Sequence, residues 1–342
     1  MKALGKILGG LIVLAIVVIA AGFFLLPKAA TQSQTVSIAK PAASVYALLA
    51  STPAGEKIGE GITQSVRQAT PPDTVVFDVD YGNGVKGEAT YKVVSKGDKS
   101  SDVVVKVVKP VGDAPMDRIG ALTGGPAAPV LVAAVQTLQA DSGKLTDQSF
   151  VGLEYELVDL DAQPFIYAPA SSTQDAGEIK KYVALALQIV DQNIALKNLK
   201  TSGRPIAVEN EWKDDTYSFY AGYRLQGAAP KGSAGVLFGQ SPAGTAIKVH
   251  YAGDESQVLP TYDKMEALVA AARLTLGKSF EVYNDDPTKD TGSADRDIFY
   301  MVSGDTSQLA KILPPKAPLT VNVPSESVAP EAAPTPTPSP TP

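Results

Sequence analysis

Apolar and polar positions alternate along three early stretches, "DTVVFDVDYGNG", "VKGEATYKVVSKG" and "SDVVVKVVKPVG", with Gly, Asn, Asp and Lys turns between them. Period-two alternation bounded by turn residues predicts an antiparallel meander. Ahead of it Val36 and Ile38 alternate as in a strand, and Pro41 then opens a helix with Val45, Leu48 and Leu49 as its buried stripe. Proline suits that place because the first helical turn has no use for its missing N–H. After the meander the period changes. "APVLVAAVQTLQADSGKL" carries Val130, Val132, Val135 and Leu138 at helical spacing.

From Phe150 a second pattern begins. "FVGLEYELVDLDAQPFIYAPAS" predicts one or two strands, and Ile179, Val183, Ala186, Val190 and Ile194 then mark an amphipathic helix. "GRPIAVENEWKDDTYSFYAGYRLQG" predicts a hairpin turning at "KDD". The same order follows again: the strand "AGTAIKVHYAGD", a helix with Tyr262, Met265, Leu268, Val269 and Ala272 on one side, and the hairpin "KSFEVYNDDPTKDTGSADRDIFYMVSG". Aligning "PIAVENEWKDD" with "SFEVYNDDP" sets Ala207 against Glu281 and Glu209 against Tyr283. Such an internal repeat predicts two like units paired about a pseudo-twofold, with a central sheet and one helix from each half. In "SFEVYNDDP", alternation puts Glu281 and Tyr283 on one face and Phe280 and Val282 on the other.

The ends differ from the body. Ile7 to Leu26 contains no charged residue, about the length a spanning helix needs. Lys2 and Lys6 precede this run, which puts the N-terminus in the cytoplasm and the body outside it as a single-pass protein of the cytoplasmic membrane. A cleaved signal peptide is the rival reading. "SESVAPEAAPTPTPSPTP" is low in bulky apolar residues and predicts a disordered, Pro-rich tail. The expected division is therefore an anchor over 1–30, a first domain over 31–149, a second over 150–306 and a tail over 307–342.

Composition removes several functions. The net charge of −6 and the lack of basic clusters argue against a nucleic-acid partner. Without cysteine and with His250 as the only histidine, thiol catalysis and multi-histidine zinc sites are excluded, so neither metal nor cofactor is expected. "GNGVKG" matches GxGxxG, but a strand follows it rather than a helix, so Asn83-Gly84 reads as a tight hairpin turn. "NDDPTKDTGSADRD" lacks the ligand spacing of a calcium loop.

The stretch "SIAKPAASVYALLA" and the long helix near 126–140 make residues 33–148 resemble the START-like, polyketide cyclase-type (SRPBCC) family. Tryptophans common there after the first helix are replaced by "STPAGEKIGEGITQ". Residues 150–303 resemble the GyrI-like small-molecule binding domain, also the effector domain of AraC/MerR-type regulators. "KVHYAGD", "FEVYNDDP", "DRDIFYMV" and "YSFYAGYRL" carry that resemblance. Many relatives have an aromatic residue where Glu255 follows Gly253-Asp254 here. The resemblances imply an α+β protein, a START-like helix-grip domain followed by a duplicated strand-helix-hairpin (SHS2-type) unit.

They also imply a cleft between the two halves, with a buried carboxylate at the position of Glu281 and aromatic walls. Tyr283, Trp212, Tyr220, Tyr167 and His250 are the candidates to stand beside it. A carboxylate in an apolar pocket invites a cation, and ring faces add cation–π attraction of about 0.5–2 kcal/mol. Three functions follow as alternatives: a membrane-tethered binder of a hydrophobic or cationic small molecule, a hydrolase or sequestering factor for electrophilic toxins using Glu281 and Tyr283, or a structural or interaction protein of a bacterial cell envelope. Neither a helix-turn-helix with a basic face nor a named protein partner emerges from the chain.

Overall fold

The computed structural model describes residues 26–230, 235–289 and 292–316. The apolar run up to residue 25 and the tail beyond residue 316 lie outside the described residues. Among the described residues no single helix is long and apolar enough to cross a membrane. The architecture is α+β, as the patterning implied, with two antiparallel sheets in sequence.

The first sheet has the order β1-β6-β5-β4-β3-β2. Its strands are β1 (Ala29–Ile38), β2 (Glu56–Gly59), β3 (Ile62–Thr70), β4 (Thr74–Asp80), β5 (Lys86–Ser95) and β6 (Ser101–Pro110). Asn83 and Gly84 carry φ of 53° and 78°, and Val85 N donates to Gly82 O. Two successive left-handed residues make the turn whose twist suits a hairpin. Helices α1 (Ala42–Ala50), α2 (Pro115–Leu122) and α3 (Ala128–Ser142) accompany this sheet. Val75, Phe77, Tyr91, Val103 and Val105 are buried with Val45 and Leu48 of α1 and Leu131, Ala134 and Leu138 of α3. Apolar side chains thus fill the space between sheet and long helix.

Four local expectations change. β2 and β3 were not legible, because "EKIG" and "ITQSVRQAT" are mostly polar; Gln64, buried there, is held by Tyr91 and Glu56. Helix α2 was missed too. Val132 is half exposed, and the α3 stripe runs instead through Val130, Leu131, Ala134, Val135 and Leu138. The expected tail begins with helix α6 (Ser307–Ile312), which buries Leu309.

The second sheet has eight strands in the order β11-β8-β10-β9-β13-β14-β12-β7. They are β7 (Glu156–Leu160), β8 (Pro164–Thr173), β9 (Thr201–Lys213), β10 (Thr216–Leu225), β11 (Leu237–Gln240), β12 (Gly244–Asp254), β13 (Thr275–Tyr283) and β14 (Ser293–Ser303). β9 and β13 meet at the centre, and Ala207 lies opposite Glu281, flanked by Val208–Phe280 and Ile206–Val282. That register is the repeat's pseudo-twofold. Helices α4 (Ala176–Lys197) and α5 (Leu259–Ala271) lie on one face, one from each half. Asp175 caps α4 by accepting from Glu178 N at 3.0 Å, a bond that satisfies an orphan donor of the first turn.

The two sheets share one apolar core, which runs from Val75 and Leu138 through Phe150 and Tyr155 to Met265, Leu268 and Ile298. At the join Ser51 Oγ donates to Ala271 O at 2.8 Å. Arg273, just past α5, reaches Glu56 and Asp141 at 2.9 Å each. Its backbone is left-handed, φ 57°, a cost of about 1–2 kcal/mol that the two ion pairs offset. Burial raises the Asp141 carboxyl, but the Lys144 and Arg273 charges more than offset it and hold the group below its ordinary value.

A lowered folded-state pKa means that this stabilisation is present above about pH 4 and is lost as pH falls through the folded-state value. Arg273→Ala leaves two half-buried carboxylates without their shared cation and is expected to cost roughly 2 kcal/mol. Thermal unfolding of the full chain checks both points: the variant melts lower at pH 7, and its loss between pH 5 and pH 3 is smaller than that of the wild type.

Candidate functional site

Strand parity decides which side chains meet beneath the helices. Ser279, Glu281 and Tyr283 of β13 face α4 and α5, while Phe280 and Val282 face away, and Phe280 stacks on Phe299 with centroids 4.3 Å apart. The sheet's β9 and β14 contribute Ala207, Glu209, Arg296 and Tyr300 to the same face as Glu281, and α5 contributes Tyr262 and Glu266. Together they bound a cleft of about 550 Å³.

Glu281 is not a lone carboxylate. It is 9% exposed, accepts from the Tyr262 hydroxyl at 2.8 Å and pairs with Arg296 Nη1 at 2.8 Å. Arg296 also donates through Nη2 to both oxygens of Glu255 at 2.6 Å, and Lys180 Nζ lies 3.5 Å from Glu255. The guanidinium, 2% exposed, sits 4.7 Å from the centre of the Tyr283 ring. Burial opposes its charge, but Glu281, Tyr283 and Glu255 more than offset this, so it titrates above the ordinary arginine value. Two carboxylates and two cations therefore form a neutral cluster on the cleft floor, and the cation that Glu281 invited comes from the chain itself.

The opposite end of the cleft has no such balance. Glu209 accepts from Ser279 N at 3.2 Å and Ser279 Oγ at 2.6 Å. Glu266 accepts from the Tyr300 hydroxyl at 2.6 Å. No lysine, arginine or histidine among the described residues pairs with either, nor with the nearby Asp263. Over the whole lining, five carboxylates stand against one cationic side chain, Arg296. The walls are aromatic: Trp212 and Tyr217 have ring centres 5.0 Å apart, and Tyr262 meets Tyr300 edge-on at 5.6 Å. Burial first, and then the charge of Glu281, push the Tyr262 and Tyr283 hydroxyls well above the usual tyrosine value, so both stay protonated. The Tyr283 hydroxyl is buried with no hydrogen-bond partner.

Of the residues expected from the sequence, Glu281, Tyr283 and Trp212 come together here. Tyr167 and Tyr220 do not. Their rings, 5.0 Å apart, stand on the other face of the sheet in a separate hollow of about 400 Å³ with Phe165 and Met301, because alternation turns them away from the helices. His250 belongs to neither; it is an exposed residue of β12 with Nδ1 3.0 Å from Asp297. Sequence reasoning missed Arg296, Glu255, Glu209 and Glu266. Arg296 lies opposite Tyr283 across β13 and β14, so the parity of "DRDIFYMV" carried a signal for it.

No protein-family model and no curated protein matches the chain. Among solved structures, the chain is similar to EcmrR in its DNA complex (15% identity, 44% of this chain and 57% of that one, TM-score 0.38). It is also similar to the isolated EcmrR C-terminal domain (14%, 45% and 99%, TM-score 0.39). SAV2435 bound to tetraphenylphosphonium is similar at 16% identity over 44% and 95%, with a TM-score of 0.29. The Zhui aromatase/cyclase from Streptomyces sp. R1128 is similar at 11% over 34% and 94%, with a TM-score of 0.26. The chain thus spans a little over half of the first of these proteins, and likenesses this distant say nothing of activity.

Two substitutions separate the groups of the floor. Arg296→Met strands Glu281 and Glu255 in a buried site and is expected to cost about 3–5 kcal/mol. Tyr283→Phe removes a hydroxyl that bonds to nothing and is expected to change stability by less than about 1 kcal/mol. Urea unfolding of both variants against the wild type measures the difference.

Proposed function

We propose that this chain is a membrane-tethered binding protein whose cleft holds a bulky hydrophobic cation, with the ligand's charge set against Glu209 and Glu266. The observation that carries the reading is the pair of carboxylates met only by neutral donors, Ser279 and Tyr300. Trp212, Tyr217 and Tyr262 line the same cleft, and an aromatic face attracts a desolvated cation by about 2 kcal/mol. A volume of about 550 Å³ suits a drug-sized molecule. Tethering is supported by the uncharged run from Ile7 to Leu26, and the lysines ahead of it, Lys2 and Lys6, support an orientation with the body outside the cytoplasmic membrane. This resembles the GyrI-like pattern. A hydrolytic role for Glu281 and Tyr283 has less support, because Glu281 is already engaged by Arg296 and Tyr262.

Trp212, the only tryptophan of the chain, stands on the cleft wall and reports on its occupancy. Tetraphenylphosphonium and tetraphenylborate have the same shape and opposite charge. Titration of the detergent-solubilised full chain, followed by Trp212 fluorescence, is expected to show saturable binding of the cation at least about tenfold tighter than the anion, a difference of about 1.4 kcal/mol. Equal affinities would reduce the site to apolar attraction, and binding of neither ion would remove the proposed function.

A further inference from the structure

Helix α2 leaves an apolar face uncovered. Met116, Ile119 and Leu122 recur every three residues along it and are 75%, 48% and 63% exposed, while Arg118 and Ala121 are buried on the other side. This face is the reverse of the pattern expected of a helix at a water-washed surface. The long helix α3 that follows hides its apolar stripe in the core and leaves only Val132 half exposed.

Its position in the fold says what covers it. Lys28 O accepts from Val111 N at 3.0 Å, and Ala29 pairs with Pro110, so the start of β1 lies beside the end of β6, five residues before α2 begins. The C-terminal end of α2 is also tied to β1, where Gln32 Nε2 donates to Thr123 O at 2.8 Å. The uncharged run ends at Leu26, three residues before β1, a span of at most about 10 Å. The turn between β4 and β5 projects at the same end of the sheet: Tyr81 donates to Val108 O, and Val85 is 37% exposed.

We infer that the Met116–Ile119–Leu122 face of α2 rests in the interfacial layer of the lipid bilayer that holds the N-terminal run. This inference rests on the tethering part of the proposed function and not on the cleft. A helix lying on a membrane buries its apolar face about 5–10 Å into the headgroup boundary, and a body leashed this closely to the bilayer cannot keep that face far from it. The charges at this end nearly cancel: Lys28, Lys86, Lys109 and Arg118 stand with Asp80, Asp113 and Asp117, an excess of one positive charge. The contact is therefore apolar and indifferent to headgroup charge, and it fixes how the body, and with it the cleft, is turned toward the membrane.

The chain has no cysteine, so a nitroxide can be placed at one position at a time in the full-length protein reconstituted in phosphatidylcholine nanodiscs. Labels on Met116→Cys, Ile119→Cys and Leu122→Cys are expected to relax faster with oxygen, which partitions into lipid, than with a water-soluble nickel chelate. A label on Leu196→Cys, 84% exposed on α4, should show the reverse. Discs containing phosphatidylserine should give the same profile. Labels on α2 open to the nickel chelate in disc-bound protein would overturn the inference and leave the tether standing. Labels shielded from both reagents would overturn it in favour of a protein segment or a second copy on that face. Protein that fails to stay with the discs would overturn the tether and the inference together.

Discussion

The ion pair between Glu281 and Arg296 is the constraint around which the second unit is arranged. A carboxylate at the centre of a sheet, next to the pseudo-twofold, is tolerated only with a cation and a donor at hand. Arg296 and the Tyr262 hydroxyl supply them from β14 and α5, and Glu255 and Lys180 complete the neutral cluster. The repeat makes room for it by being unequal. Where one half has Glu281 the other has Ala207, so the smaller residue leaves the space that the pair and the cleft occupy. Likewise, where one half has Tyr283 the other has Glu209, a carboxylate that forms no ion pair among the described residues and is held by Ser279, two residues along β13 from Glu281.

Helix α5 ties this site to the rest of the molecule. Its outward turns bring Tyr262 and Glu266 to the cleft, its buried side packs Met265 and Leu268 into the shared core, and its end passes the chain to Arg273. Arg273 then grips Glu56 and Asp141 of the first unit. Cleft wall and join between units are thus one element. The first unit meanwhile has its sheet packed directly against α1 and α3 with apolar side chains.

Much of this was legible in the chain. Alternation in "SFEVYNDDP" placed Glu281 and Tyr283 on one face correctly, and the repeat set Ala207 against Glu281, because periodicity and register are local properties. Polar strands such as β3 and short ones such as β11 were not, since nothing in their sequence marks a buried face. Tyr167 and Tyr220 were grouped with Glu281 by residue type, whereas strand parity sends them to the other face. The balance of charge at Glu281 could not be read either. It depends on Arg296, 15 residues from Glu281 and 41 from Glu255, and the pairing of β14 with both β12 and β13 brings the three together.

The central claim is that the chain neutralises Glu281 itself and leaves Glu209 and Glu266 to receive an external cation. Tetraphenylarsonium tests this most directly, because the arsenic atom marks the ligand's charge by anomalous scattering in crystals of the complex. The account predicts an arsenic peak nearer the Glu209 and Glu266 carboxylates than Glu281, with the Arg296–Glu281 pair intact. A peak against Glu281, with Arg296 turned away to admit it, would contradict the account.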